Sequence, residues 1–441
     1  MMKRTVDADL MQWKMSTGRK VLLVRGARQV GKTFCVRSLG GTFSSFLEVN
    51  FDLEKPVQRF FQGSLHPATI CQKLAAYFDA DITPGKTLLF LDEIQACPEA
   101  LASLRYFHEK MPALHVVAAG SLLEFALSEM PSFGVGRISS LYMYPLSFVE
   151  FAEAVGGSGL AETCATADHE HPVDPVFHDK LLEMFRTYLM VGGMPSIVEA
   201  YRTSHDLRRC RKELADLIST LQDDFAKYRA RVPAVRLQET LRSVAHQTGG
   251  KFMYSRVDTD GSRHSAKRAL ELLTLAGLVH RVYHSSARGI PLGAQIDEGR
   301  FKAILLDTGL LLNMLGLDIS AIMTDDIESI VNKGSLAEAF VGLQLLATSA
   351  SDQPPQLFYW HRETPTGNAE VDYVVQRGSR IVPVEVKSGR RGAMQSMHVF
   401  LQERNLKKGI RVSQENFDRC GEITIVPLYA AGRVLDPGLT L

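Results

Sequence analysis

An α/β fold built on a parallel sheet is what this sequence predicts, and three features predict it. The first is the apolar run Val21-Leu22-Leu23-Val24, which leads through Arg25 into G-x-x-x-x-G-K-T at residues 26–33 and then into a helical pattern. The second is Thr87-Leu88-Leu89-Phe90-Leu91, an uninterrupted apolar run closed by Asp92 and Glu93, as expected of a parallel strand covered on both faces. The third is the alternation of strand-like and helix-like segments up to about residue 145.

The first run carries the chemistry most directly. In G-x-x-x-x-G-K-T the backbone of Gly26, Ala27, Arg28, Gln29, Val30 and Gly31 can curl with its N–H groups inward around a triphosphate, at the positive end of the following helix. Lys32 then reaches the β/γ-phosphates, and the Thr33 hydroxyl is placed to ligate Mg²⁺. The expected ligands are therefore ATP and Mg²⁺.

Phe46–Phe51 is the next strand candidate, followed by a helical stretch over about 56–78 and a break at Pro84-Gly85. At the carboxyl end of the 87–93 strand, where open α/β sheets bind ligands, Asp92 is expected to hold Mg²⁺ through water. Glu93 is expected to polarise the attacking water. The strand His115–Gly120 ends at Ser121, which either senses the γ-phosphate or caps the helix beginning at Leu122. A fifth strand is expected over Leu141–Tyr144. Arg137, just upstream, is a candidate source of transition-state charge, in its own chain or on a neighbouring copy, so a homo-oligomer remains open.

From Ser147 to about Tyr201 the pattern is helical and fits a lid, with a polar, Pro-broken loop at 168–172 and a corner at Val191-Gly192-Gly193-Met194-Pro195. Arg208, Arg209, Arg211 and Lys212 read as a solvated helix face. Helices over Val235–Gln247 and about 262–275, then a strand from Leu278 to Tyr283, outline a winged helix. Arg263, His264, Lys267 and Arg268 would open its recognition helix, as a DNA reader or on a plain connector.

Near the end of the chain, Glu338 sits within an apolar helix. Strands over Ala369–Val375 and Ile381–Lys387 flank Gly378-Ser379, a favoured hairpin turn. That turn places Arg377 opposite Arg380 and Asp372 opposite Glu385, with Cβ atoms roughly 5 Å apart. Two facing carboxylates need a positive partner, and a divalent metal with Lys387 on the same face as Glu385 would supply it.

Two resemblances follow from these residues. G-A-R-Q-V-G-K-T, L-D-E-I-Q, A-G-S and G-R…Y-P-L-S-F-x-E-F together resemble a family of prokaryotic AAA-type P-loop ATPases that carry a C-terminal region of uncharacterised function. The D-x(n)-E-x-K arrangement resembles the PD-(D/E)-x-K, restriction-endonuclease-like nucleases, with Val371 standing where that family has proline. The resemblance implies ATP binding and hydrolysis at residues 26–33, 92 and 93. It also implies a metal site of Glu338, Asp372 and Glu385, with Lys387 orienting the attacking water. The implied order is an ATPase core over 1–145, a helical lid or linker over 146–225, a winged-helix-like part over 226–325 and a nuclease-like α/β part over 326–441. The expected function is an ATPase coupled to a domain directed at DNA or RNA; the alternative is a nucleotide-dependent switch or scaffold that binds without cleaving.

Composition limits the remaining choices. Hydrophobic residues make up 45% of the 441-residue chain, enough for a sizeable core. Lys+Arg 50 against Asp+Glu 49 gives a net charge of +1, so nucleic-acid contact must come from local patches. Six cysteines without a C-x-x-C pair argue against a disulfide framework or a zinc site. Met1–Asp9 lacks the apolar core of a secretory leader, and no apolar run approaches a membrane span. The expectation is a cytoplasmic protein without a membrane partner.

Overall fold

The computed structural model describes residues 2–440 apart from 64, 130–135, 229–231, 258–261, 318–332, 365–366 and 390–393. Strands β1 (Val21–Arg25), β2 (Ser45–Asn50), β3 (Thr87–Asp92), β4 (His115–Ala119) and β5 (Ile138–Tyr142) form a parallel sheet of order β2-β3-β4-β1-β5. Alternate residues enter opposite cores, because successive side chains of a strand point to opposite faces. Leu22, Val24, Leu88 and Phe90 pack into the core shared with the rest of the chain. Val21, Leu23, Leu89 and Leu91 pack beneath the helices Pro67–Phe78 and Pro98–Lys110. The uninterrupted apolar runs follow from this double burial.

The fifth strand departs from expectation. It begins at Ile138 rather than Leu141 and pairs Val21 with Ile138 and Arg25 with Tyr142. Ser139 and Ser140 are tolerated there because β5 is an edge strand, and their polarity hid the strand's first half.

The helix Phe148–Ala154 opens with a complete capping box between Ser147 and Glu150. Helices Pro175–Val191, Pro195–Ser204 and Leu207–Asp223 follow. The corner between the first two turns at Gly192, φ 75°, and Gly193 N–H donates to the buried Asp307 carboxylate at 2.6 Å. His178, from the polar segment's neighbourhood, is a core residue bonded to the Tyr429 hydroxyl at 2.9 Å.

Helices Ala234–Gln247 and Arg263–Leu275 precede a second sheet of β6 (Val279–Ser285), β7 (Ile296–Leu305), β8 (Leu357–Thr364) and β9 (Gly367–Val371), in the order β7-β6-β8-β9. The β6–β7 hairpin stands where a wing was expected, but its β6 edge pairs in parallel with β8. Main-chain hydrogen bonds thus join residues on either side of position 325.

A third sheet holds β10 (Tyr373–Arg377), β11 (Arg380–Val386), β12 (Gly409–Ser413), β13 (Asp418–Cys420) and β14 (Ile423–Pro427), in the order β10-β11-β12-β14-β13. The β10–β11 register pairs Arg377 with Arg380 and Tyr373 with Val384, as the Gly378-Ser379 turn requires. Among the described residues, no helix is long and apolar enough to cross a membrane.

Candidate functional site

The phosphate-loop candidate leaves β1 at the carboxyl edge of the first sheet. Its backbone turns through positive φ at Gly26 (142°), Gln29 (64°) and Gly31 (99°). Gly26 is required twice over, since a Cβ there would also collide with the Met143 carbonyl oxygen. Lys32 opens the helix Lys32–Gly40 and folds into the loop, donating to the carbonyls of Gly26 at 2.9 Å and Ala27 at 2.7 Å. Its burial lowers the ammonium pKa to about 8, against the opposing pull of Glu93 and Asp92.

The acids at the end of β3 face this loop. Asp92 lies 3.3 Å through Oδ2 and 3.5 Å through Oδ1 from the Thr33 hydroxyl, and accepts from Asn50 Nδ2 at 3.3 Å. Burial, then the neighbouring Glu93 charge, pushes the Asp92 carboxyl up to about 6. Glu93 leaves the strand at φ 49°. Its Oε2 accepts from Gln95 Nε2 at 2.6 Å, Ser121 Oγ at 3.1 Å and Ser121 N at 3.3 Å. Burial alone would raise Glu93, but those donors and the Lys32 charge hold it below the ordinary carboxylate value. Gly120 leaves the room Gln95 needs, because a Cβ there would strike the Gln95 amide. Lys32, Thr33, Asp92, Glu93 and Ser121 are therefore brought together.

Arg137 is not brought to them. It precedes β5 at the amino end of the sheet, on the edge away from the loop by about 16 Å of strand rise, and pairs with Glu109. The expectation that it serves this chain's own loop is corrected: β5 runs parallel to β1, so a residue just before it lies at the edge opposite the loop. Arg28, inside the loop, forms an ion pair with Asp224 at the end of the helix Leu207–Asp223.

Three residues of this site lay outside the sequence reading. Asn50 and Gln95 support the two acids. Arg4, only 8% exposed, donates to the Val30 carbonyl at 3.0 Å, the Tyr144 carbonyl at 2.7 Å and Glu150 at 3.1 Å, so it ties the loop to the helix Phe148–Ala154. The capping-box signature at Ser147–Glu150 was visible in sequence, but nothing marked Arg4 as its partner.

The second constellation is differently arranged. Asp372 sits at the corner between β9 and β10, where its Oδ2 accepts from Val386 N at 2.7 Å. Glu385 Oε1 accepts from Lys387 at 2.7 Å, while its buried Oε2 has no hydrogen-bond partner. Glu338 accepts from Lys302 Nζ at 2.7 Å, and the same ammonium reaches Glu370 at 2.5 Å. Burial raises Glu338 to about 8 and Glu385 to about 7, and raises Asp372 as well. Among the described residues, no group of three or more His, Cys, Asp or Glu side chains is arranged to hold a metal. Of the expected metal set, Glu338 is bonded to Lys302, Glu385 to Lys387 and Asp372 to a backbone N–H.

Sheet order, loop and acid pair define the class: the N-terminal unit has the P-loop NTPase fold. Residues 18–152 match the family model described as AAA domain. Residues 182–321 and 333–431 match two domains of unknown function, DUF8612 and DUF4143. No curated protein matches the chain in sequence. Solved structures similar to it include the Walker-type ATPase PABY2304 of Pyrococcus abyssi, with 16% identity, a TM-score of 0.44, and coverage of 71% of this chain and 96% of that one. The ORC1 protein of Aeropyrum pernix in complex with DNA is similar at 13% identity and TM-score 0.29, with coverage of 71% and 92%. The Hsp104–ADP complex of S. cerevisiae is similar at 10% identity and TM-score 0.27, with coverage of 62% and 38%.

Proposed function

We propose that the protein is a Mg²⁺-dependent ATPase whose C-terminal part is directed at nucleic acid. The observation that carries the reading is the assembly at one sheet edge of a buried lysine ammonium, a Thr33–Asp92 oxygen pair and a Glu93 carboxylate fixed by Ser121. The loop amides and Lys32 hold the phosphates, with Lys32 exchanging the Gly26 and Ala27 carbonyls for phosphate oxygens. Thr33 and Asp92 offer the hard oxygen donors that suit Mg²⁺, which when bound neutralises phosphate charge. Glu93, kept ionised by its hydrogen bonds, orients the attacking water and accepts its proton. Phosphate release from ATP by the full chain, abolished by EDTA, tests this. No release with Mg²⁺ present overturns it.

Asp92 also sets a pH dependence. Below about pH 6 its carboxyl is protonated, and the proton must leave before a metal can be held. Affinity for Mg·ATP is expected to fall as pH drops from 7 to 5, approaching about tenfold per unit at the acid end. Asp92→Asn should be weak and nearly pH-independent over that range, and an equal slope in both proteins would refute the assignment.

The proposed division is core 1–145, lid 146–225, winged-helix-like part 226–325 and C-terminal part 326–441. Arg263, His264, Lys267 and Arg268 are exposed on the first turns of the helix Arg263–Leu275, while Ala266, Ala269 and Leu270 are buried. Such a split suits phosphate contact. Lys267→Glu with Arg268→Glu is expected to weaken DNA binding at least tenfold and to flatten its salt dependence; unchanged binding removes this helix from the interface. Of the cleaving and non-cleaving versions of the C-terminal part, the Lys302 contacts with Glu338 and Glu370 favour binding without cleavage.

A further inference from the structure

Glu338, Glu370 and Asp372 all act on one buried lysine, Lys302, and Glu385 neighbours Asp372 and Glu370. Lys302 comes from a different part of the chain, the β7 strand, where it pairs with Val282 in a run buried from Phe301 to Leu305. Its side chain is only 1% exposed, while Glu370, one of its partners, is partly open to solvent. Lysine is almost never buried so completely unless paired. Its ammonium meets two carboxylates, Glu338 at 2.7 Å and Glu370 at 2.5 Å, and lies 5.2 Å from the centre of the Tyr359 ring.

We propose that Lys302 is the resident cation of this acid cluster, standing in for the divalent metal that the D-x(n)-E-x-K arrangement would otherwise hold. The proposal deepens the non-cleaving reading above and rests on it. A metal within bonding distance of Glu338 Oε1 and an ammonium 2.7 Å from the same oxygen would be two unscreened cations competing for one site. A lysine fixed by packing on a buried strand wins that competition at ordinary metal concentrations. The cluster keeps donor capacity for an ion, because Glu385 Oε2 is buried without a partner. Removing the ammonium takes from Glu338 and Glu370 the positive partner they share among the described residues, which a divalent ion can then supply.

The test is a nucleotide-free Mn²⁺ titration of the full chain, read by electron paramagnetic resonance. It is done in an Asp92→Asn background to silence the phosphate-loop site. With Lys302 in place, no Mn²⁺ is expected to bind below millimolar concentration. With Lys302→Gln added, one ion is expected to bind at least tenfold more tightly, and further addition of Glu338→Gln should abolish that gain. If Lys302→Gln does not fold alone, its thermal transition should return when Mn²⁺ is added and not when NaCl is.

Equal Mn²⁺ binding with and without Lys302, lost in both cases with Glu338→Gln, overturns the proposal. So does a folded Lys302→Gln protein that gains no ion, or an unfolded one that Mn²⁺ does not restore. The titration contains no DNA, so a failure of the nucleic-acid reading would appear in the binding assay and leave this result interpretable.

Discussion

Glu93→Gln is expected to retain ATP and to lose turnover by about 10²-fold or more, the usual contribution of a positioned general base. The substitution keeps nearly the same shape. An amide oxygen can still accept from Gln95 and from the Ser121 hydroxyl and N–H, so the loop after β3 should keep its conformation. What disappears is the negative charge that accepts a proton. Nucleotide affinity, set mainly by Lys32 and the loop amides, should change only a few-fold. Phosphate release measured beside fluorescent-nucleotide binding separates the two effects. Unchanged turnover would remove Glu93 from the chemistry.

Arg4→Ala is expected to destabilise the protein by about 3 kcal/mol, the lower end of what breaking a buried ion pair costs. The lower end applies because Glu150 keeps the N–H groups of Thr5 at 2.7 Å and Ser147 at 2.8 Å. The Val30 and Tyr144 carbonyls would lose their guanidinium donors, so the loop loses its tie to the helix Phe148–Ala154. KM for ATP should rise along with the loss of stability. Arg4→Lys should fall between the two, since one ammonium cannot reproduce a planar fork aimed at three acceptors. Chemical denaturation checks the first effect, and a loss below about 1 kcal/mol would show that the pair is not structurally important.

Much of the nucleotide site was legible in sequence because its parts are local. A strand, a glycine turn and a lysine at fixed spacing leave few other conformations open, and an apolar run ending in two acids fixes where those acids point. The place of Ser121 was legible for the same reason, two residues past β4, but its hydrogen bonds to Glu93 were not. The hairpin register from Tyr373–Val384 to Arg377–Arg380 was equally readable, because a two-residue turn sets the pairs that follow, but the strand expected over 369–375 breaks at Asp372. Partners that come from afar were not readable. Arg4 meets Glu150 across 146 positions, Arg28 meets Asp224 across 196, and Lys302 meets Glu338 from a strand assigned to another part of the chain. The sequence argument required a positive charge near Asp372 and Glu385 and named Lys387, which pairs with Glu385, but no local pattern announces the distant buried Lys302 beside Glu338. Arg137 was misplaced for a different reason: a residue just ahead of a strand parallel to β1 lies at the sheet edge opposite the loop, wherever that strand begins.

Equilibrium ATP binding and Mg²⁺-dependent phosphate release, measured on the intact chain and on Lys32→Ala, test the central claim most directly. The intact chain is expected to retain nucleotide and release phosphate, while Lys32→Ala, still folded, should do neither to a measurable degree. Identical behaviour of the two proteins would contradict the assignment of residues 26–33 as the phosphate grip.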